Sequence, residues 1–444
     1  MLGTLSKSAA QLESYMRYVY SALLYALIPV ILLRMFLRSR EAPAYRARLA
    51  ERFGFFAPDL GRGDKPVLWV HAVSVGEAIA AAPVIETLLK RYPQHRMVVT
   101  TTTPTGSERV KALFGDRVFH VYAPWDLPGA VQRFLKSVRP DLLLIMETEL
   151  WPNMLHYSHR AGCRIVLANA RMSQRSATGY ARLSALTRNM LTNLDIVACQ
   201  SKNDGERLLS LGLSKNKLEV TGSIKFDLEL DANLRLEAQQ LGESWRAADR
   251  PVLVVASTHP GEDEQVLAAF GRLRKTVDNA LLVLVPRHPE RFDAVYEQCA
   301  ASGWSVLRRS AGQAPALSDD IVLGDTMGEL LLLLSVADVA VIGGSLVEHG
   351  GHNVLEASAW GVPVVTGPHM FNFAQISELL TDAGAMITLD DPLKLAQCLI
   401  DLFADRTGRE TMGAIGQQVV ADNRGAKKRL LALIDAQLAC QPSP

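Results

Sequence analysis

Short, largely apolar runs recur along this chain at 67–71, 96–103, 117–123, 142–146, 164–169, 195–200 and 217–222. Stretches of helical periodicity separate most of them, the first from near Gly76 to about Arg91. Runs that are apolar on both faces and spaced by helices predict parallel strands covered on both sides. The rhythm restarts at 251–257 and continues through 280–286, 305–307, 321–323, 336–343 and 362–367. Between the halves, 223–250 is richer in charge and poorer in β-branched residues, and reads as a linker with one helix. The pattern predicts an α/β chain of two doubly wound domains facing each other across a cleft. The expected divisions are an N-terminal anchor at 1–40, a first domain at 41–230, a linker at 231–250 and a second domain at 251–444. A helical tail from about Arg406 to Leu438 is expected to pack back on the first domain.

The N-terminus breaks the pattern. YVYSALLYALIPVILL, between Arg17 and Arg34, carries no charge. It is slightly shorter than the ~20 residues of a bilayer span, although Met35, Phe36 and Leu37 extend it. Pro29 is tolerated in a membrane helix. Arg34, Arg38, Arg40, Arg46, Arg48 and Arg52 follow, which places this flank on the cytoplasmic side by the positive-inside rule. No small-residue cleavage site follows, so a removed signal peptide is disfavoured. A short span, a tilted interfacial helix and an ordinary buried helix are the readings left open.

Composition narrows the class. In 444 residues, 48% hydrophobic and 21% charged, there is room for two globular domains, and a net charge of +1 gives no reason to expect nucleic acid as a partner. Cys163, Cys199, Cys299, Cys398 and Cys440 are odd in number, widely spaced and without a CxxC pair. They read as free thiols rather than disulfides or zinc ligands. There is no G-x-G-x-x-G after the first strand, no GxxxxGK[ST], no G-x-S-x-G and no H-E-x-x-H. No D-x-D pair offers to hold a divalent ion, so any phosphate charge is expected to be met by backbone N–H groups, Arg and Lys.

Candidate chemistry gathers where strands end, the usual position of sites in open α/β sheets. Glu77, in HAVSVGE, opens the first helix; it suits a general base, or simple complementation of the helix dipole. Thr100 to Thr103 suit either anion binding or an N-cap. Glu147 and Glu149 flank a strand end beside Trp151-Pro152. Arg171 and Arg175 suit an anionic substrate or solvent, and Lys225 is expected to point into the cleft. In the second half, the planar fork of Arg287 matches phosphate oxygens. The glycine pairs Gly343-Gly344 and Gly350-Gly351 suit close approach to an anion before a helix, and Glu356, in that helix, suits a sugar hydroxyl.

HAVSVGE, TTTTPTG, ETELWPN, NARMS, GSIKFD, STHPGE, PRHPERF, DTMGEL and GGHNVLE occur in this order, after ERFG at 51–54. The ordered set resembles the Kdo transferases of Gram-negative lipopolysaccharide synthesis (glycosyltransferase family 30) over nearly the whole chain. The resemblance implies a GT-B fold of two Rossmann-like domains with an N-terminal membrane-anchoring helix. It implies an inverting transfer of Kdo from CMP-Kdo to a lipid A precursor (lipid IVA) at the cytoplasmic face of the cell inner membrane, with membrane lipids as partners. By resemblance Glu77 is the proton acceptor, and Glu147 and Lys225 are transition-state stabilisers. Pro286, Arg287, Met327, Gly328, Glu329, Asn353, Val354, Leu355 and Glu356 are CMP-binding. No cofactor and no metal are expected, since CMP-Kdo is a substrate. The rival within the fold class is another GT-B glycosyltransferase using a UDP-sugar and a lipid-linked acceptor. The rival outside it is a membrane-tethered sugar-binding protein without turnover.

Overall fold

The computed structural model describes residues 2–40, 42–57, 65–245 and 250–439, with side chains from Tyr15 onward. Cys440 and the end of the expected linker, 246–249, lie outside the described residues. The chain divides into two compact units, 1–227 with 425–444, and 228–424.

The first unit is built on seven parallel strands: β1 (Val67–His71), β2 (Arg96–Thr101), β3 (Phe119–Tyr122), β4 (Leu142–Met146), β5 (Arg164–Ala170), β6 (Ile196–Cys199) and β7 (Leu218–Val220), ordered β3-β2-β1-β4-β5-β6-β7. Every residue of β1 and β4 is buried. Because side chains alternate across a sheet, Val67 and Trp69 pack with Phe134 and Met154 on one face. Leu68 and Val70 pack with Ile85 and Val110 on the other. That two-sided burial is why these runs are continuously apolar rather than alternating.

The second unit repeats the plan with β8 (Val252–Thr258), β9 (Leu281–Pro286), β10 (Val306–Arg308), β11 (Ile321–Leu323), β12 (Val339–Ile342), β13 (Val364–Thr366) and β14 (Met386–Thr388), ordered β10-β11-β9-β8-β12-β13-β14. The last strand is absent from the expected set. It is a three-residue edge strand, Met-Ile-Thr, of which only Met386 is buried.

The segment expected as a linker is mostly a helix, Ala232–Trp245, within the second unit. The helical tail is two helices, Arg406–Asp422 in the second unit and Ala426–Ala439 in the first. Gly425 takes φ +93 between them, a conformation cheap only for glycine. Its N–H donates to Asp227 Oδ1. The last helix inserts Leu430, Leu431 and Ile434 into the core beside Ile85, and its Asp435 accepts from Tyr92 Oη at 2.6 Å.

The N-terminal helix, Leu2–Arg38, contains the stretch 15–38, long and apolar enough to cross a membrane by length and composition. Residues 16, 17, 19, 20, 21, 24, 28, 31, 32 and 35 are buried or half-buried, while Tyr18, Leu23, Val30, Leu33 and Leu37 are exposed. From Arg17 to Met35 the spacing of the covered set is helical, so one stripe about 27 Å long lies against the first unit at 1.5 Å per residue. Its upper end is tied by a buried polar cluster. Arg17 Nη1 donates to Asn153 Oδ1 at 3.2 Å. Asn153 Nδ2 donates to Asp126 O at 2.6 Å and to Ser21 Oγ at 3.0 Å.

Candidate active site

Glu77 sits where β1 turns into the helix Val75–Arg91. Ser74 caps that helix by accepting the Glu77 N–H at 3.2 Å, and its hydroxyl donates back to Glu77 Oε1 at 2.9 Å. The Val73 N–H donates to Glu77 Oε2 at 2.9 Å. Ser74 is thus the N-cap, and the Glu77 carboxyl reaches back one residue further, to the Val73 N–H, so Glu77 has a structural role at the helix start. The same carboxyl is only 7% exposed, and burial pushes it up to about 7, with the charges of Glu149 and Glu147 adding and the Val73 and Ser74 hydrogen bonds opposing. A carboxyl titrating near neutrality at a strand end is poised to take a proton. The two readings therefore describe one group: the cap orients the acid.

Glu147 and Glu149 follow β4, both half-buried. Burial also raises Glu149, the charge of Glu147 adds, and the Trp151 indole, donating to Glu149 Oε2 at 2.8 Å, opposes. Glu147 holds φ +56, and Asn169, in β5, holds φ +53. Non-glycine residues pay for this conformation, and such strain clusters at functional sites. Asn169 is fully buried; its Oδ1 accepts the Ile224 N–H at 3.1 Å, fixing the 3-10 turn Ile224–Phe226 that carries half-buried Lys225. The first unit thus brings Glu77, Glu147 and Glu149 together and positions Lys225 through Asn169.

Other expectations resolve differently. Thr103 is an N-cap, accepting from the Gly106 N–H at 3.1 Å. Thr100 Oγ1 accepts from the Trp69 indole at 2.8 Å, so these hydroxyls hold the fold. Arg171 is half-buried and Arg175 exposed.

In the second unit, Pro286 ends β9 and the Arg287 N–H donates to Thr258 O at 3.0 Å. Arg287 lies close enough to Glu356 for its charge to act on that carboxyl, which burial raises against the Asn353 hydrogen bond and Arg287. Asn353 Nδ2 donates to Glu356 Oε1 at 3.0 Å, and Asn353 Oδ1 caps the Leu355 N–H at 3.1 Å. Val354 and Leu355 bury their side chains completely, so what they offer a ligand is backbone. Among the described residues, no protein acceptor takes the N–H groups of His352, Asn353 or Val354. Met327 is exposed and Gly328 holds φ +87. Glu329 accepts from Arg309 Nε at 3.1 Å and Nη2 at 3.0 Å, and from the Thr326 hydroxyl. Burial alone would raise Glu329, but these two partners outweigh it and hold it low.

The two glycine pairs differ in role. The N–H groups of Gly344, Ser345 and Leu346 already bind an anion, the carboxylate of fully buried Glu262, at 2.7, 3.1 and 2.9 Å. The His259 N–H completes the cradle at 2.8 Å. Gly343-Gly344 therefore serves an internal carboxylate instead of a ligand, whereas the segment after Gly350-Gly351, among the described residues, has N–H groups with no protein acceptor. Sequence reasoning also missed a histidine cluster. His259 and His352 share a hydrogen bond, Nε2 to Nε2 at 2.8 Å, and His349 stacks on His259 with ring centroids 4.1 Å apart. Burial first, and neighbouring positive charge second, holds His259 and His352 down to about 4. The clue in sequence was the recurrence of His at four strand ends, which spacing alone does not join. Among the described residues, no group of three or more His, Cys, Asp or Glu is placed to hold a metal ion.

Residues 262–419 match the family model for glycosyl transferases group 1. A solved structure, UDP-GlcNAc 2-epimerase from Neisseria meningitidis bound to UDP-GlcNAc, shares the fold at 15% identity, with a TM-score of 0.55 over 85% of this chain and 100% of that one. Together with the two parallel-sheet units, these give the chain the GT-B fold, with a glycosyl transferase group 1 domain in its second half. Residues 47–228 match the model described as 3-deoxy-D-manno-octulosonic-acid transferase (kdotransferase). The chain is 42% identical to the 3-deoxy-D-manno-octulosonic acid transferase of Haemophilus influenzae, over 95% of its own length and 99% of the relative. It is 38% identical to that of Bordetella pertussis, over 94% and 99%. It belongs to the 3-deoxy-D-manno-octulosonic acid (Kdo) transferase family.

Proposed function

We propose that this Kdo transferase takes Kdo from CMP-Kdo and attaches it, with inversion, to a sugar hydroxyl of a lipid A precursor such as lipid IVA. The observation that carries the mechanism is the buried Glu77 carboxyl, titrating near 7 at a strand end. As the acceptor oxygen attacks the anomeric carbon, Glu77 takes the hydroxyl proton. The bond from that carbon to the phosphate oxygen breaks on the opposite side, and CMP leaves with the electron pair. One displacement inverts the centre. Glu147 keeps Glu77 basic through its charge, and Lys225 offsets negative charge on the Kdo carboxylate or the phosphate.

The second unit holds the nucleotide. Arg287 meets the phosphate, joined by the unpaired N–H groups of His352 to Val354. Glu356, oriented by Asn353, accepts from the ribose hydroxyls. Pro286 shapes the turn into Arg287, and Gly328 with the Arg309-bound Glu329 fixes the loop that carries Met327 over the nucleotide. With the phosphate charge met by these groups, transfer needs no metal, and EDTA is expected to leave the rate unchanged. The exposed apolar side of the N-terminal helix, and the arginines that follow it, hold the first unit on the cytoplasmic face of the inner membrane. In this reading the helix lies in the interface, its half-buried stripe against the unit and its exposed apolar side in the lipid.

The test is mass spectrometry of lipid IVA incubated with the protein and CMP-Kdo or, separately, UDP-sugars. A gain of Kdo mass from CMP-Kdo alone supports the reading. No gain from CMP-Kdo with folded protein and intact donor refutes it.

A further inference from the structure

A groove runs between the N-terminal helix and the loops at the carboxyl edge of the first sheet. Leu24, Ile28 and Ile31 form its helix side, and Trp125, Leu127 and Trp151 its loop side, around a volume of about 210 Å³. Its walls are mostly apolar, with Tyr20 hydrogen-bonded to Asp126 as the polar part of the lining. The one carboxylate there, Asp126, has its oxygens engaged by the Asn153 and Met154 N–H groups at 3.0 and 2.7 Å.

Two continuities identify what fills it. At one boundary, Trp151 belongs both to the groove and to the reaction site. Its indole N–H holds Glu149 at 2.8 Å, and the charge of Glu149 acts on Glu77. At the other, the helix that lines the groove turns Leu23, Val30 and Leu37 outward, each about half exposed or more. The helix thus offers one apolar face to the groove and another outward, where a lipid surface can meet it. An apolar groove on a helix that also presents an apolar face outward, joined through Trp151 to Glu149, fits a ligand with an apolar tail and a reacting hydroxyl head.

We infer that this groove holds a segment of one acyl chain of the acceptor lipid and thereby sets the acceptor's sugar hydroxyl against Glu77. This rests on the lipid-acceptor reading above. The chain exchanges one hydrocarbon environment for another, so the gain in affinity is small. What the groove supplies is orientation, which acts on the rate of transfer.

The experiment compares lipid IVA in detergent micelles with its fully deacylated, phosphorylated disaccharide, using full-length protein and CMP-Kdo. The readout is the ratio of kcat/KM for the two acceptors. Ile28→Trp, which fills the groove, is expected to lower that ratio at least tenfold. An equal fall on both acceptors, or an unaltered ratio, overturns the proposal. As a second measurement on the unmutated enzyme, lipid IVA carrying a diazirine in an acyl chain is photolysed, and cross-links are expected on the peptides holding Ile28 and Trp151. Equal labelling of those peptides by a diazirine phospholipid means a bystander lipid fills the groove, which also overturns it. If the unmutated enzyme modifies neither acceptor, the lipid-acceptor reading itself falls and takes this proposal with it. If it modifies both with equal efficiency, the groove proposal alone falls.

Discussion

At the scale of single residues, the account turns on groups whose environment sets them apart from others of their kind. Glu77 is held up to about 7 by burial, from an ordinary value of 4.5. Between those values the folded protein keeps a proton that the unfolded chain gives up. The contribution of this group to stability therefore weakens as pH rises through the window. Glu77→Gln has no such titration, so between about pH 5 and about pH 8 the parent is expected to lose melting temperature relative to the variant. A constant difference would contradict the assignment. Asn169 is the second such residue. Asn169→Ala removes the acceptor of the Ile224 N–H and leaves a residue ill-suited to φ +53. We expect a loss of about 2 kcal/mol in denaturant melts and a fall in kcat beyond what that loss explains, because Lys225 is set loose. Of these residues, Glu77 was legible from the sequence because it follows an apolar strand and opens a helix. Asn169 was not, since its importance lies in a positive φ and a contact 55 residues away.

At the scale of elements, strands were legible wherever both faces are buried, as in VLWVH and LLLIM. β14 was missed, although the equally short edge strands β7 and β10 were anticipated. The glycine-rich stretch shows a different limit. Gly343-Gly344 reads as an anion site and is one, yet the anion is the protein's own Glu262, 82 residues from Gly344. Sequence spacing shows that N–H groups are exposed by a turn but not which acceptor reaches them. Glu262→Ala leaves four buried N–H groups without an acceptor. We expect it to cost about 3 kcal/mol or more, read as a lower denaturation midpoint, with weaker CMP binding in calorimetry because the segment to Asn353 loses its support. Near-parent stability would show that the cradle is incidental.

At the scale of the whole molecule, the proposed mechanism divides the chemistry between two units of similar build: proton acceptor in one, phosphate partners in the other. The repeated strand rhythm made the two-sheet plan legible. The boundaries were less so, because Ala232–Trp245 is charged on its outer side yet folded into the second unit, and because the last helix returns to the first unit across a single glycine turn. The N-terminal helix shows what composition leaves out. Its apolar length is readable, but the Arg17–Asn153–Asp126 cluster that lays it along the first unit is not. Asp126→Ala is expected to raise hydrogen exchange in residues 17–24 while leaving the helix Val75–Arg91 protected; uniform exchange changes would contradict a local tether.

The most direct measurement of the central claim is the pH dependence of kcat/KM for Kdo transfer, in the parent and in Glu77→Gln. The account predicts that the parent loses activity as pH falls below about 7, where Glu77 gains its proton. It predicts that the variant is slower by roughly 10²–10⁴-fold and lacks that limb. A variant that keeps the same acid limb, or turns over at nearly the parent rate, would show that another group takes the proton.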